Sequence, residues 1–338
     1  MAKQTEDEPV LEGEAKEWAW NPALPIAVSP VFAWPPQPVA AFKWLASYWL
    51  ALSPVVVELA LAFTIWWMFQ PAWDAMQTLE PGWIIAIWAR NLVLLALVAG
   101  SLHLWLWRWR GQGSATKFLS RDMTVNNRNF TFGNQVHDNM FWSLASGVTI
   151  WTAYEVLYFW CAANGFAPVV TLAEMPVWSI VWFVLIPLWA SFHFYWIHRL
   201  LHWPPIYKRV HFLHHRNVNV GPWSGISMHP LEHIIFFSSV LIHFVIPSDP
   251  VHVIFHIYNL ALNPAASHSG FEKLFVGKHK CMALGDFFHQ LHHRYFECNY
   301  GTAEVPWDVV FGSFHNGTSD ATQRIRNRKR KPRFYDFG

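Results

Sequence analysis

The sequence predicts an all-α polytopic membrane protein with a helical cap, and three observations carry that prediction. Hydrophobic residues make up 53% of the 338 positions and aromatic residues 17%, against 14% charged, with 23 tryptophans and 27 phenylalanines. Four apolar stretches reach the roughly 20 residues needed to cross a hydrocarbon core: Leu45 to Gln70, Trp83 to Trp107, Met140 to Ala163 and Pro176 to Ile197. Lys and Arg are absent from 71–82 and 164–175, while Arg108, Arg110, Lys117, Arg121 and Arg128 fill the connection between the second and third stretches. Basic loops stay on the cytoplasmic side, so four transmembrane helices with both chain ends in the cytoplasm are expected. Trp66, Trp67, Trp83, Trp105, Trp107 and Trp109 fall near the proposed span ends, where indole rings favour the headgroup region.

The chain then divides into four parts. Residues 1–40 are acidic and afterwards proline-rich, which reads as a mobile leader, and its Glu6, Asp7, Glu8, Glu12, Glu14 and Glu17 do not begin a cleavable signal peptide. Residues 41–139 hold the first hairpin of spans and a basic cytosolic loop. Residues 140–318 hold the second hairpin and the residues that carry chemistry. Residues 319–338 form a basic tail containing Arg324, Arg326, Arg328, Lys329, Arg330, Lys331 and Arg333, which fits a topology anchor against anionic headgroups. Nothing else in the chain supports nucleic-acid binding by that tail. Within 140–318, a shorter apolar hairpin runs from His233 to Ile246 and from Val251 to Leu262, turned at Pro247 to Pro250. Each arm is too short to span, so an interfacial or re-entrant pair is expected. Cys161, Cys281 and Cys298 form neither a disulfide framework nor a CxxC pair, in keeping with a reducing compartment.

The sharpest chemical signal is a set of three histidine boxes: His198-Arg-Leu-Leu-His202, His211-Phe-Leu-His214-His215 and His289-Gln-Leu-His292-His293. On a helix, positions i, i+3 and i+4 share one face, so each box can aim its imidazoles at one point. Adjacent histidines stand about 100° apart around the axis, so one box can serve two metal ions side by side. Burying so many imidazoles without a shared partner would leave polar groups unsatisfied, which favours metal binding over a structural role. Imidazole suits zinc, copper, iron and nickel alike, so ligand type leaves the metal open.

Beyond the boxes lie Gly221-Pro-Trp-Ser-Gly-Ile-Ser-Met-His229-Pro-Leu-Glu232-His233, the Asn263 to Gly270 segment with His268, Asp286 before the last box, and Asn299-Tyr-Gly301 after it. In this combination the chain resembles the fatty acid hydroxylase/sterol desaturase superfamily, and within it the sterol desaturase-like members. The resemblance covers about Met140 to His315. It implies a membrane oxidoreductase in which His198, His202, His211, His214, His215, His268, His289, His292 and His293 hold two iron ions, with O2 as co-substrate. In related hydroxylases a further histidine stands four residues before the one matching His268; here that position is Pro264, with Asn263 as the nearest substitute ligand or simply a turn residue ahead of proline. His229, Glu232 and His233 are expected to hydrogen-bond the outer nitrogens of ligand imidazoles, which such ligands need. Asp286 and Asp308 are further candidates, with helix capping as their other reading.

A lipid entering from the bilayer is the implied substrate, of sterol, isoprenoid, fatty acyl or carotenoid type, and the boxes leave hydroxylation and desaturation both open. The sequence contains no His-Pro-Gly-Gly haem motif and no dinucleotide fingerprint, so electrons are expected from NAD(P)H through separate proteins, a ferredoxin or cytochrome b5 with its reductase. The rival readings are a membrane metal transporter or metal-handling protein, which would carry polar residues deep in several spans, and an inactive scaffold relative.

Overall fold

A computed structural model describes residues 18–330. The acidic residues Glu6 to Glu17 and the tail residues Lys331 and Arg333 lie outside the described residues. The architecture is mostly helical: α1 (Pro38–Trp49), α2 (Pro54–Met68), α3 (Pro81–His103), α4 (Gln135–Phe141), α5 (Val148–Ala163), α6 (Pro176–Leu201), α7 (Pro204–Ile206), α8 (Phe212–His215), α9 (Pro230–Phe237), α10 (Pro250–Ala261), α11 (Asn263–Ser267), α12 (Phe287–Tyr295), α13 (Trp307–Val310) and α14 (Ser319–Arg330). Proline occupies the first turn of α1, α2, α3, α6, α9 and α10, where its missing N–H costs nothing and its fixed φ favours the helix.

Among the described residues, two helices are long and apolar enough to cross a membrane, 81–108 and Pro176–Leu201. A third candidate is the pair α1 and α2, which bend by 41° at their junction. The sequence led us to expect one continuous span over Leu45 to Gln70; instead Ser53 caps a new helix through Val56 N–H, and Pro54 at its first turn precludes continuation from α1. Such long apolar helices are those of an integral membrane protein. On α6, Val177, Ile180, Val184, Leu188, Phe192, Trp196 and Leu200 form one exposed apolar stripe.

The stretch read as a third span is helical from Gln135 to Ala163 through a π-helical stretch at Trp142–Gly147, and it is largely enclosed. Its Glu155 pairs with Arg90 of α3, and Asn91, Thr152 and Gln70 complete a hydrogen-bonded set around the pair. A charged pair this deep survives only because its polar atoms are met by partners.

Of the apolar hairpin expected as an interfacial or re-entrant pair, the first arm exposes Ile234, Leu241 and Val245, while the second, α10, is buried along almost its whole length against α2, α5 and α6 and is capped by Asp249. Its apolar residues surround the helix rather than line one face, as a core helix requires. A two-stranded antiparallel hairpin, β1 (Lys273–Val276) and β2 (His279–Ala283), interrupts the all-α pattern, its turn using Gly277 at φ 60°. Of the described part of the expected mobile leader, Trp18 meets the Phe287 ring at 4.8 Å and Ile26 N–H donates to the Asn316 carbonyl, while Phe32, Trp34 and Val39 stay exposed. Aromatic area buried on α12 provides the driving force that a polar leader would lack.

Candidate metal centre

The loops without Lys or Arg meet at one end of the helices, where Asn164 Nδ2 donates to the Gln77 carbonyl and Val170 N–H to that of Ser248. The histidine boxes gather at the other end. His198 lies on the last turn of α6 and His202 closes that helix, because Pro204 starts a new one two residues on. A π-helical turn, Tyr207–His211, leads into α8 and carries the second box; such turns recur at functional sites. Asp286 caps α12, accepting from His289 N–H at 2.5 Å, and so fixes where the third box begins.

The nine histidines form two groups. His198, His202, His211, His215 and His292 make the first, and His214, His268, His289 and His293 the second, with one ring nitrogen from each member lying within 4.8 Å of the others in its group. Neighbours in sequence part company: His214 and His215 fall in different groups, as do His292 and His293. All are buried except His202, which is half-buried.

Within each group the Nε2 atoms converge. His202 lies 3.0 Å from His215 and 3.2 Å from His211, and His215 lies 3.0 Å from His292. In the second group, His268, His289 and His293 are 2.9, 3.1 and 3.2 Å apart. Metal–imidazole bonds of about 2.1 Å put two nitrogens about 3.0 Å apart at a right angle and about 3.4 Å apart at the tetrahedral angle. Nitrogens this close can share one ion.

Outer nitrogens explain why the inner ones point together. His198 Nδ1 donates to the Tyr300 carbonyl at 2.7 Å, His292 Nδ1 to that of Cys298 at 2.6 Å, and His268 Nδ1 to that of Pro264 at 3.0 Å. His211 Nδ1 meets Glu232 Oε1 at 2.7 Å. Each donation fixes the tautomer and leaves an Nε2 lone pair for a metal. The Nε2 of His198 is buried with no protein partner at all. Burial, followed by the neighbouring imidazoles, holds His211, His214, His215, His289, His292 and His293 well below the usual histidine range, and burial takes His268 down to about 3. The rings are thus neutral, the form that binds a metal. Burial also lifts the Glu232 carboxyl well above its ordinary value, and Asp286 to about 7.

The other expected site residues take distinct places. His229 caps α9 by accepting from Leu231 N–H, and His233 bonds Ser146 Oγ and the Ile226 carbonyl, so neither hydrogen-bonds a member of the two groups. Asp308 accepts from Tyr300 N–H and Gly301 N–H, each at 2.8 Å, and so orders the loop whose Tyr300 carbonyl holds His198. Asn263 opens α11, half-buried, five residues before His268.

Sequence reasoning missed the carbonyls of Tyr300, Cys298 and Pro264, since any residue supplies one. It also missed a polar set that steadies the second box. Arg216, next to His215, pairs with buried Asp138, while Asn217 Oδ1 accepts from Gln135 and Asn139 at 3.1 and 2.9 Å. The only legible signal was the unusual density of Asn, Gln and Asp in 134–139.

Residues 183–313 match the fatty acid hydroxylase family. In this region the chain is similar to the fatty acid hydroxylase/sterol desaturase superfamily. Similar curated proteins include a Delta(7)-sterol 5(6)-desaturase of Aspergillus fumigatus, 32% identical over 152 residues, which are 44% of this chain and 42% of the relative. Those of Candida albicans (28% over 141 residues, 41% and 34%) and Leptosphaeria maculans (25% over 183 residues, 52% and 49%) are similar as well. The matched region spans about half or less of each of these relatives. No solved structure matches the chain.

Proposed function

We propose that the protein is a membrane-bound, O2-dependent oxidoreductase that removes hydrogen from an unactivated C–H position of a lipid, in the manner of a sterol-type desaturase. The convergence of nine buried imidazoles into two adjacent groups carries this reading. Iron suits it better than zinc, because zinc has no accessible redox step. Two iron ions, when bound, would supply the redox chemistry that activates O2 against a C–H bond.

The protein's own residues do the rest. His198, His202, His211, His215 and His292 would hold one ion, and His214, His268, His289 and His293 the other, with Asn263 or a water completing the smaller set. Glu232 and the carbonyls of Tyr300, Cys298 and Pro264 hold the outer nitrogens of His211, His198, His292 and His268 and keep those four rings aimed inward. Burial excludes bulk water from both groups. The names of the similar proteins favour desaturation of a sterol or related polycyclic isoprenoid. Electrons then come from NAD(P)H through a ferredoxin or a cytochrome b5 with its reductase.

Four spans with a cytoplasmic histidine end complete the reading. Two features support it: the loops lacking Lys and Arg lie together opposite the histidines, and the helical run 135–163 exposes Phe141, Ala145, Thr149, Ala153 and Leu157 at four-residue spacing.

Lipid mass spectrometry under labelled oxygen, on cells with the gene deleted, restored, or restored as His214→Ala, tests the function. A species lighter by two hydrogens that returns only with the intact gene is expected. One heavier by a labelled oxygen means hydroxylation instead, and no returning species contradicts the lipid-oxidising role.

A further inference from the structure

Past the third histidine box the chain makes a short excursion that neither the metal groups nor the core accounts for. In α13 and the residue after it, Val309 is 47% exposed, Val310 66% and Phe311 38%, three large apolar side chains in a row. A soluble surface rarely offers such a run without a partner.

The run is continuous with the apolar stripe of α6. Phe311 lies 4.9 Å from the Trp196 ring and 5.2 Å from that of Tyr195, and Trp307 lies 5.3 Å from Phe192, centroid to centroid. Counted from Val177 at one boundary, Trp196 lies about 29 Å along the stripe at 1.5 Å per residue, close to the thickness of a hydrocarbon core, and leaves Leu200 at the headgroup side. Trp196 thus falls where the hydrocarbon ends, and the exposed Arg199 lies one turn beyond it. Phe311, touching Trp196, lies at the same depth.

We propose that Trp307–Phe311 is a membrane-embedded loop, inserting Val309, Val310 and Phe311 into the hydrocarbon boundary beside α6. The occupant of this apolar surface is the bilayer itself. Anchoring at this point acts on the metal-bearing end. Between the inserted residues and Trp307 sits buried Asp308, whose carboxylate takes Tyr300 N–H and Gly301 N–H, and the Tyr300 carbonyl in turn takes His198 Nδ1. The bilayer thereby fixes the height of the loop that orients His198. A double aspartate substitution at 309 and 310 would pull that loop into water, whereas two valines keep it at the boundary at little cost.

The inference rests on the membrane reading of α6, and on neither metal nor turnover. Its test is collisional accessibility of a spin label in the full chain reconstituted in phospholipid vesicles. A Cys281→Ser background leaves only the buried Cys161 and Cys298. Labels are placed at Val310→Cys and, separately, at Val309→Cys, with Val184→Cys on the α6 stripe and Lys208→Cys on an exposed basic turn as references. Labels at 309 and 310 are expected to collide more with O2 than with a water-soluble nickel chelate, as at 184, while the label at 208 shows the reverse. Nickel preference at both 309 and 310 alongside O2 preference at 184 overturns the loop's insertion. Nickel preference at 184 as well overturns the membrane reading beneath it.

Discussion

Two buried histidine sets within one helical fold behave in opposite ways. Around α10, His243 Nδ1 meets Ser248 Oγ and its Nε2 meets His256 Nδ1, while His256 Nε2 meets Ser239 Oγ. His252 accepts from Asp249 N–H and donates to the Ser179 carbonyl. Every ring nitrogen in this set has a protein partner, so nothing remains for a metal. In the boxes the outer nitrogens of His198, His211 and His292 are tied to carbonyls and Glu232, while inner Nε2 atoms of His202, His211, His215 and His292 face one another. Burial alone therefore says little; the direction of the unshared lone pairs separates a structural histidine from a ligand.

Substitution sharpens this contrast most strongly in the boxes. His214→Ala and His292→Ala are each expected to lower bound iron and abolish turnover, read by metal analysis and lipid product. His256→Ala should do the reverse. It leaves iron in place but strips His243 Nε2 and Ser239 Oγ of their partner and opens a cavity, a loss of about 2–4 kcal/mol in stability by denaturant unfolding in detergent. Loss of iron in His256→Ala would erase the distinction between the sets.

Smaller effects come from the groups that orient the ligands. Glu232→Gln keeps an acceptor for His211 Nδ1 but removes its charge, and iron affinity should weaken by about 10–100-fold in chelator competition. The pH response of the metal-free protein follows from His268, whose native value near 3 lies below the ordinary value of about 6.5. Between those values the unfolded chain takes up a proton that the folded one does not. Stability thus falls as pH drops from about 6.5 towards 3, by about 1.4 kcal/mol per pH unit for this group. Thermal unfolding between pH 7.5 and 5.5 should show the decline, and His268→Gln should lessen its slope by this group's share, since the other buried box histidines act in the same direction.

Much of the site was legible because it is local. The i, i+3 and i+4 spacings carry the box geometry, and the side-by-side His214–His215 and His292–His293 pairs fall in separate groups as helical geometry requires. His268 became visible only through resemblance, since a single histidine after an apolar helix has no local signature. What stayed hidden is long-range. Arg216 reaches Asp138 across 78 positions, and the carbonyls of Tyr300 and Cys298 depend on a loop shaped by Asp308 and by Asn299 at φ 53°. The bend at Ser53-Pro54 was signalled by a capping pair, yet hydropathy masked it. The interior position of α10 was hidden because its apolar pattern suits a core helix and an interfacial one of the same length.

Iron counting with Mössbauer spectroscopy on the full chain, expressed with enriched iron, tests the two-group centre most directly. Two irons per chain, with fewer in His214→Ala and in His292→Ala and no change in His256→Ala, is the predicted result. One iron or none in the intact protein, or two that survive either box substitution, would contradict it.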